Sequence, residues 1–198
     1  MMKNIVLMGI KHCGKSTQAR LLSQKLNCPM FDTDTEIENI YSKTAREIYA
    51  QEGEEAFKKA EKEACISVIN KASQSQNGAV IATGGGICCN SEALNVLRKD
   101  SIFVFLMAQE NLASDRIVRE CNIDENGTLS NLPAYIAKKN PRTTDDVRDI
   151  FHDFYEERTR IYSGIADAAV RMDNAPKYVN MERIFNSIKG SLSTQPDL

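Results

Sequence analysis

"NIVLMGIKHCGKSTQARLL", Asn4 to Leu22, decides the fold. Residues 4–8 form an apolar run that reads as a buried strand, and residues 16–26 (STQARLLSQKL) carry helical periodicity. Between them, Gly9-Ile10-Lys11-His12-Cys13-Gly14-Lys15-Ser16 fits the spacing G-x-x-x-x-G-K-S/T. Each part has a chemical reason. Glycines let the backbone turn tightly enough for its N–H groups to converge on phosphate oxygens. The helix N-terminus behind them adds positive potential. Lys15 then reaches the terminal phosphates of a nucleotide, and the Ser16 hydroxyl ligates Mg2+. The residues expected around the nucleotide are Gly9, Lys11, His12, Cys13, Gly14, Lys15, Ser16 and Thr17. His12 stands where many such loops carry a small residue.

Outward from this unit, apolar runs alternate with helical periods. Residues 29–34 (PMFDTD) read as a short strand entering acidic residues. Residues 35 to about 74 read as helices with apolar positions Ile37, Ile40, Ile48, Phe57, Ala60, Ile66 and Ile69. Strands are expected at 79–83 (AVIAT), 101–107 (SIFVFLM) and 168–172 (AAVRM). Helices are expected at about 109–119, about 144–165 and 181–192. Wholly apolar strands separated by helices predict a parallel sheet covered on both faces, a three-layer α/β class. The polar stretch 120–131, with its Asn126-Gly127 turn signal, reads as a mobile surface segment, and the last residues, 193–198, as a frayed tail. Residues 1–192 are read as a single domain.

The 198-residue chain has a net charge of -2, which gives no basic excess for nucleic acid. No apolar run approaches the ~20 residues of a membrane helix, and the N-terminus does not read as a signal peptide. The six cysteines include no C-x-x-C pair, and there are two histidines, so a zinc site is not expected. Adjacent Cys88 and Cys89 do not suit an unstrained disulfide, and reduced thiols in the cytoplasm fit best. Cys13 reads mainly as a small packed loop residue.

A phosphate acceptor needs carboxylates near the loop. Asp32 and Asp34 share a face if the second strand continues through them; the other reading is an acidic helix start with an aspartate cap. Lys58 and Glu61 fall on one helix face. Gly84-Gly85-Gly86, directly after a buried strand, suits close backbone approach to a ligand.

Taken together, these pieces resemble the shikimate kinase family over almost the whole chain: the loop at 9–17, FDTDTEIE (31–38), EIYAQEGEEAFKKAE (47–61), Gly84-Gly85-Gly86, SDR (114–116) and RTRIYSGIAD (158–167). The resemblance implies a P-loop kinase fold with a five-stranded parallel sheet and a mobile lid at about 120–143. It implies ATP and Mg2+ as cofactors and phosphorylation of the 3-hydroxyl of shikimate, in aromatic amino acid biosynthesis. Matched by position, Asp34 would act as base on the substrate hydroxyl and Asp32 on Mg2+ through water. Arg158 would hold the substrate carboxylate, Gly84 to Gly86 would line the substrate, Arg116 would stack on adenine, and Glu61 would brace the cation at position 58. A monomer suffices.

Two departures stand out. Lys58 replaces the family's arginine, exchanging a bidentate fork for a point charge. The family's lid arginine has no direct counterpart beside Leu132-Pro133; Lys139 has the spacing and Arg142 the chemistry. The alternatives are a kinase for another small hydroxy acid such as gluconate, or a decayed nucleotide-binding module.

Overall fold

The computed structural model describes residues 2–125 and 127–192. Strand β1 (Asn4–Met8) leads through the glycine loop into helix α1 (Lys15–Leu26). Strand β2 (Met30–Asp32) is followed by α2 (Thr33–Tyr41), α3 (Ala45–Glu52) and α4 (Glu54–Ala72). Then come β3 (Val80–Ala82), a short 3-10 turn at Ile87–Cys89, and α5 (Ser91–Arg98). Strand β4 (Ser101–Met107) precedes α6 (Glu110–Glu120), a hairpin of β5 (Asn122–Ile123) and β6 (Leu129–Ser130), and α7 (Ala134–Ala137). Helix α8 (Thr144–Ile165), β7 (Ala168–Arg171) and α9 (Lys177–Leu192) complete the order.

Five strands pair in parallel in the order β2-β3-β1-β4-β7. The side-chain period of 2 explains the three layers. Ile5 and Leu7 pack on one face with Leu22, Ile117, Phe151 and Ile184, while Val6 and Met8 pack on the other with Val68, Leu97 and Tyr162. A smaller cluster of Ile37, Ile48, Ala60 and Ala64 ties α2, α3 and α4 into one block beside the sheet. Local signals fix the helix starts: capping boxes at Thr44 with Glu47 and at Thr143 with Asp146 open α3 and α8.

The α/β class and the five parallel strands agree with the sequence pattern. Several details do not. Strand β2 stops at Asp32, because the Asp32 side chain accepts from the Asp34 N–H and starts a helix instead. Ile40 and Ile66 are 43% and 40% exposed, since α2 and α4 turn these positions outward from their shared cluster. The stretch 120–131, read as a surface segment with no secondary structure assigned, holds the β5–β6 hairpin. Helix α5, cued by the Asn90 cap, escaped the periodicity reading, and α9 begins four residues before residue 181. The expected turn at Asn126 and the tail 193–198 lie outside the described residues. Among the described residues no helix is long and apolar enough to cross a membrane.

Candidate active site

The site forms where β1, β2 and β3 end, the side of a parallel sheet on which ligands settle. Gly9 (φ 148°) and Gly14 (φ 96°) adopt backbone conformations that disfavour a side chain. At Gly9 a Cβ would also lie 2.7 Å from the Leu106 carbonyl oxygen. The Lys15 ammonium folds over the loop and donates to the Gly9 and Ile10 carbonyls at 3.0 and 2.8 Å. His12 holds φ +66°, its ring 3.3 Å from Glu120, and burial depresses its basicity. Cys13 is buried and packs in the core beside the loop.

The Ser16 hydroxyl donates to Asp32 Oδ2 at 2.6 Å. A hydroxyl and a carboxylate in contact at a helix start are a donor set suited to a hard, oxygen-liking cation such as Mg2+. Although β2 ends at Asp32, Asp34 stays beside it in the first turn of α2. Asp34 lines a cavity of about 540 Å3 and keeps its side chain open to it. Partial loss of water from the surrounding protein, with the charge of Asp32, raises its carboxyl above the ordinary range.

Glycines make the cavity floor. A Cβ at Gly84 would lie 2.9 Å from Asp34 Oδ1, and one at Gly85 would lie 2.8 Å from the Lys11 backbone nitrogen. The Gly85 carbonyl accepts from Arg158 Nη1 at 3.2 Å and from the Tyr162 hydroxyl at 3.1 Å. The Arg158 guanidinium lies 4.6 Å from the Tyr135 ring centroid and 5.3 Å from that of Phe154. Its buried Nε has no hydrogen-bond partner. Glu61 is 1% exposed. Its Oε2 accepts from Asn90 at 2.9 Å, while buried Oε1 is unpartnered. Burial, only partly offset by the Asn90 hydrogen bond and reinforced by Asp34, pushes the Glu61 carboxyl up to about 7.

One expectation needs correction. Glu61 does not brace Lys58. The Lys58 ammonium lies 3.0 Å from Glu54 and 3.6 Å from Glu55, because a helical side chain leans toward the N-terminus of its helix and so away from Glu61. Asn90 stands between them instead, donating to Glu61 and to the Lys58 carbonyl. Of the two cations considered for the 120–143 segment, Lys139 lines the cavity and Arg142 does not; the Arg142 N–H donates to Asp146 Oδ2 at the start of α8.

Arg116 donates to the His12 carbonyl and borders a second cavity of about 280 Å3, shared with Thr17, Gln109 and Asn174. Sequence reasoning missed Arg46, Tyr49, Cys89, Asn90, Tyr135 and Phe154, all of which line the large cavity. The Asn90 cap position and the i, i+4 spacing of Phe154 and Arg158 on one face of α8 were the available signals.

A family model for shikimate kinase matches residues 11–189. A shikimate kinase of Aquifex aeolicus is 31% identical over 94% of this chain and 96% of its own. One from Caldicellulosiruptor saccharolyticus is 42% identical over 112 residues, 56% of this chain and 62% of that one. In fold, the chain is similar to a solved shikimate kinase from Acinetobacter baumannii in complex with shikimate, with TM-score 0.74 and 23% identity over 96% of this chain and 95% of that one. The chain belongs to the shikimate kinase family and is a phosphotransferase acting on a hydroxyl group.

Proposed function

We propose that the chain transfers the γ-phosphoryl group of ATP, with Mg2+, to the 3-hydroxyl of shikimate. The observation that carries this reading is Asp34. Its carboxylate lines the large cavity, next to Asp32 and within the field of Lys11 and Lys15, while Arg158 lines the same cavity. A raised carboxyl at this point suits a group that accepts the hydroxyl proton. Lys15 and the loop N–H groups hold the phosphates, Ser16 and Asp32 hold the cation, and Arg116 faces the base from the smaller cavity. Arg158, with an unpaired buried Nε, takes the acceptor's carboxylate, and the three glycines let the acceptor lie against backbone. The similar shikimate kinase from Acinetobacter baumannii, solved in complex with shikimate, favours the same acceptor. We read residues 1–192 as one catalytic domain working in the cytoplasm, where free thiols such as its six cysteines persist.

A second reading, a kinase for another small hydroxy acid, is favoured by one observation. Lys58 is committed to Glu54 and Glu55 and offers the acceptor only a shared charge.

The test is ATP consumption by the purified protein with Mg2+ and shikimate, gluconate, CMP or no acceptor. Shikimate-dependent turnover that falls by about a hundredfold or more in Asp34→Asn supports the proposal. Turnover with gluconate alone selects the second reading, and turnover with none of them overturns both.

A further inference from the structure

Phosphoryl transfer spreads negative charge over the three equatorial oxygens of the moving group, and a cation beyond the loop lysine is needed to meet it. The large cavity offers six cations, and their surroundings sort them. Lys58 is paired with Glu54 and Glu55, and Lys138 sits in the field of the same Glu54, so both belong to the far end of the cavity. Arg158 is fixed on the Gly85 carbonyl between two aromatic rings. Lys11 lies 3.9 Å from Glu120. Two remain, Lys139 and Arg46.

Arg46 stands in the first turn of α3, just inside the Thr44 capping box. Its guanidinium donates to Asn131 Oδ1 at 2.9 Å, and among the described residues no carboxylate pairs with it. Asn131 in turn donates to the Glu120 carbonyl at 2.7 Å. The Glu120 carboxylate meets Lys11 and His12 on the phosphate loop. A continuous polar chain therefore carries Arg46 from the acceptor-side helices to the mouth of the loop. Electrostatics agree with that placement. Burial lowers the basicity of Lys11, Glu120 and Asp34 oppose it, and Arg46 and Lys15 lower it further, so Lys11 feels both cations and a polyphosphate there would relieve their repulsion. The segment after α6 brings Lys139 to the same cavity, but the cations acting on Lys11 at the loop are Arg46 and Lys15, and Lys139 is not among them.

We propose that Arg46, from helix α3, is the catalytic cation that contacts the γ-phosphoryl oxygens during transfer, in place of any residue of the 120–143 segment. This rests on the phosphotransfer reading above. Arg46 is polarised by a neutral amide rather than neutralised by a carboxylate, so its full charge is free for the phosphoryl group. Asn131 acts as a positioning residue that aims it.

The experiment compares wild type, Arg46→Met, Arg46→Lys and Lys139→Met in steady-state kinetics. It also measures binding of ADP·Mg2+ with and without aluminium fluoride, whose planar or octahedral anion imitates the moving phosphoryl group. Arg46→Met is expected to lose about a hundredfold in kcat, with KM for both substrates within about threefold. Its affinity for the ADP–fluoride complex should fall about tenfold or more while plain ADP binds as in wild type. Arg46→Lys, and added guanidinium, should restore part of the loss, and Lys139→Met should cost less than tenfold in kcat. The assignment is overturned if Arg46→Met keeps wild-type kcat, if its loss lies in the acceptor KM alone, or if Lys139→Met gives the larger fall. The fluoride measurement needs no acceptor. If wild type turns over no acceptor tested, the proposed reaction fails separately, and a fluoride complex bound equally well by Arg46→Met and wild type overturns the assignment.

Discussion

The Ser16 hydroxyl and the Asp32 carboxylate meet at 2.6 Å, joining the first turn of α1 to the end of β2. Asp32 uses its other oxygen to accept from the Asp34 N–H at 3.1 Å. One side chain thus caps a helix and faces the expected cation. Asp32→Asn separates the two roles. Asparagine caps as well as aspartate, so melting should shift by no more than a few degrees. The lost charge should raise the Mg2+ concentration for half-maximal activity about tenfold or more. A Mg2+ titration unchanged by the substitution would sink the metal role of Asp32.

Glu61 makes stability depend on pH in a defined direction. Its carboxyl is raised to about 7 in the folded chain against an ordinary 4.5. The folded state therefore holds the proton more tightly than the unfolded one. Its contribution is fully present below pH 4.5 and is lost as pH rises through about 7. The shift corresponds to roughly 3 kcal/mol at most. Glu61→Gln removes this slope while its amide oxygen still accepts from Asn90. Urea denaturation at pH 5 and pH 8 should show the variant gaining on wild type only at the higher pH; parallel slopes would contradict this account.

Cys89 should be the first thiol to react. Its neighbour Cys88 lies 3.9 Å away, and that hydrogen bond, with Arg158 and Lys58 nearby, brings the Cys89 thiol down to about 6. Burial pushes the thiols of Cys28 and Cys65 up. Iodoacetamide at pH 7 should label Cys89 ahead of those two, with a rate profile turning near pH 6. Because Cys89 lines the large cavity, a bound acceptor should slow the labelling. Peptide mapping by mass spectrometry reads both effects.

Gly85→Ala probes the cavity floor. The added Cβ would meet backbone atoms of Lys11 at 2.8 and 3.2 Å, which cannot swing aside as a side-chain tip can. Overpacking of this kind costs about 1–3 kcal/mol. Thermal melting should drop by several degrees, and kcat should fall about tenfold or more because the phosphate loop itself must shift. Wild-type kinetics with lowered melting would limit the contact to stability.

What the sequence made legible followed from short-range rules. The β1–loop–α1 unit, the parallel strands and the span of α8 all follow from apolar runs, glycine spacing and helical periods acting over neighbouring residues. Asp32 and Asp34 were legible as a pair, but their arrangement was not. Strand and helix were both open at that point, and the cap settled it. Lys58 and Glu61 show the opposite limit. Spacing places two residues on one face, yet Glu54 and Asn90 compete for them, and the packing of α4 against α5 decides which contacts form. Arg46 and Tyr135 were invisible because their membership of the cavity depends on how α3 and α7 meet the rest of the site in space.

The shared contact at Gly85 has a consequence for how this site diversifies. Phosphate loop, acceptor floor, Arg158 and Tyr162 all converge on one peptide unit, so none of them is free to change alone. The walls contributed by α3, α4 and α7 carry no such constraint. New acceptor preferences should therefore arise by substitution along those walls, at Tyr49, Lys58 or Tyr135, while the transfer end stays as it is.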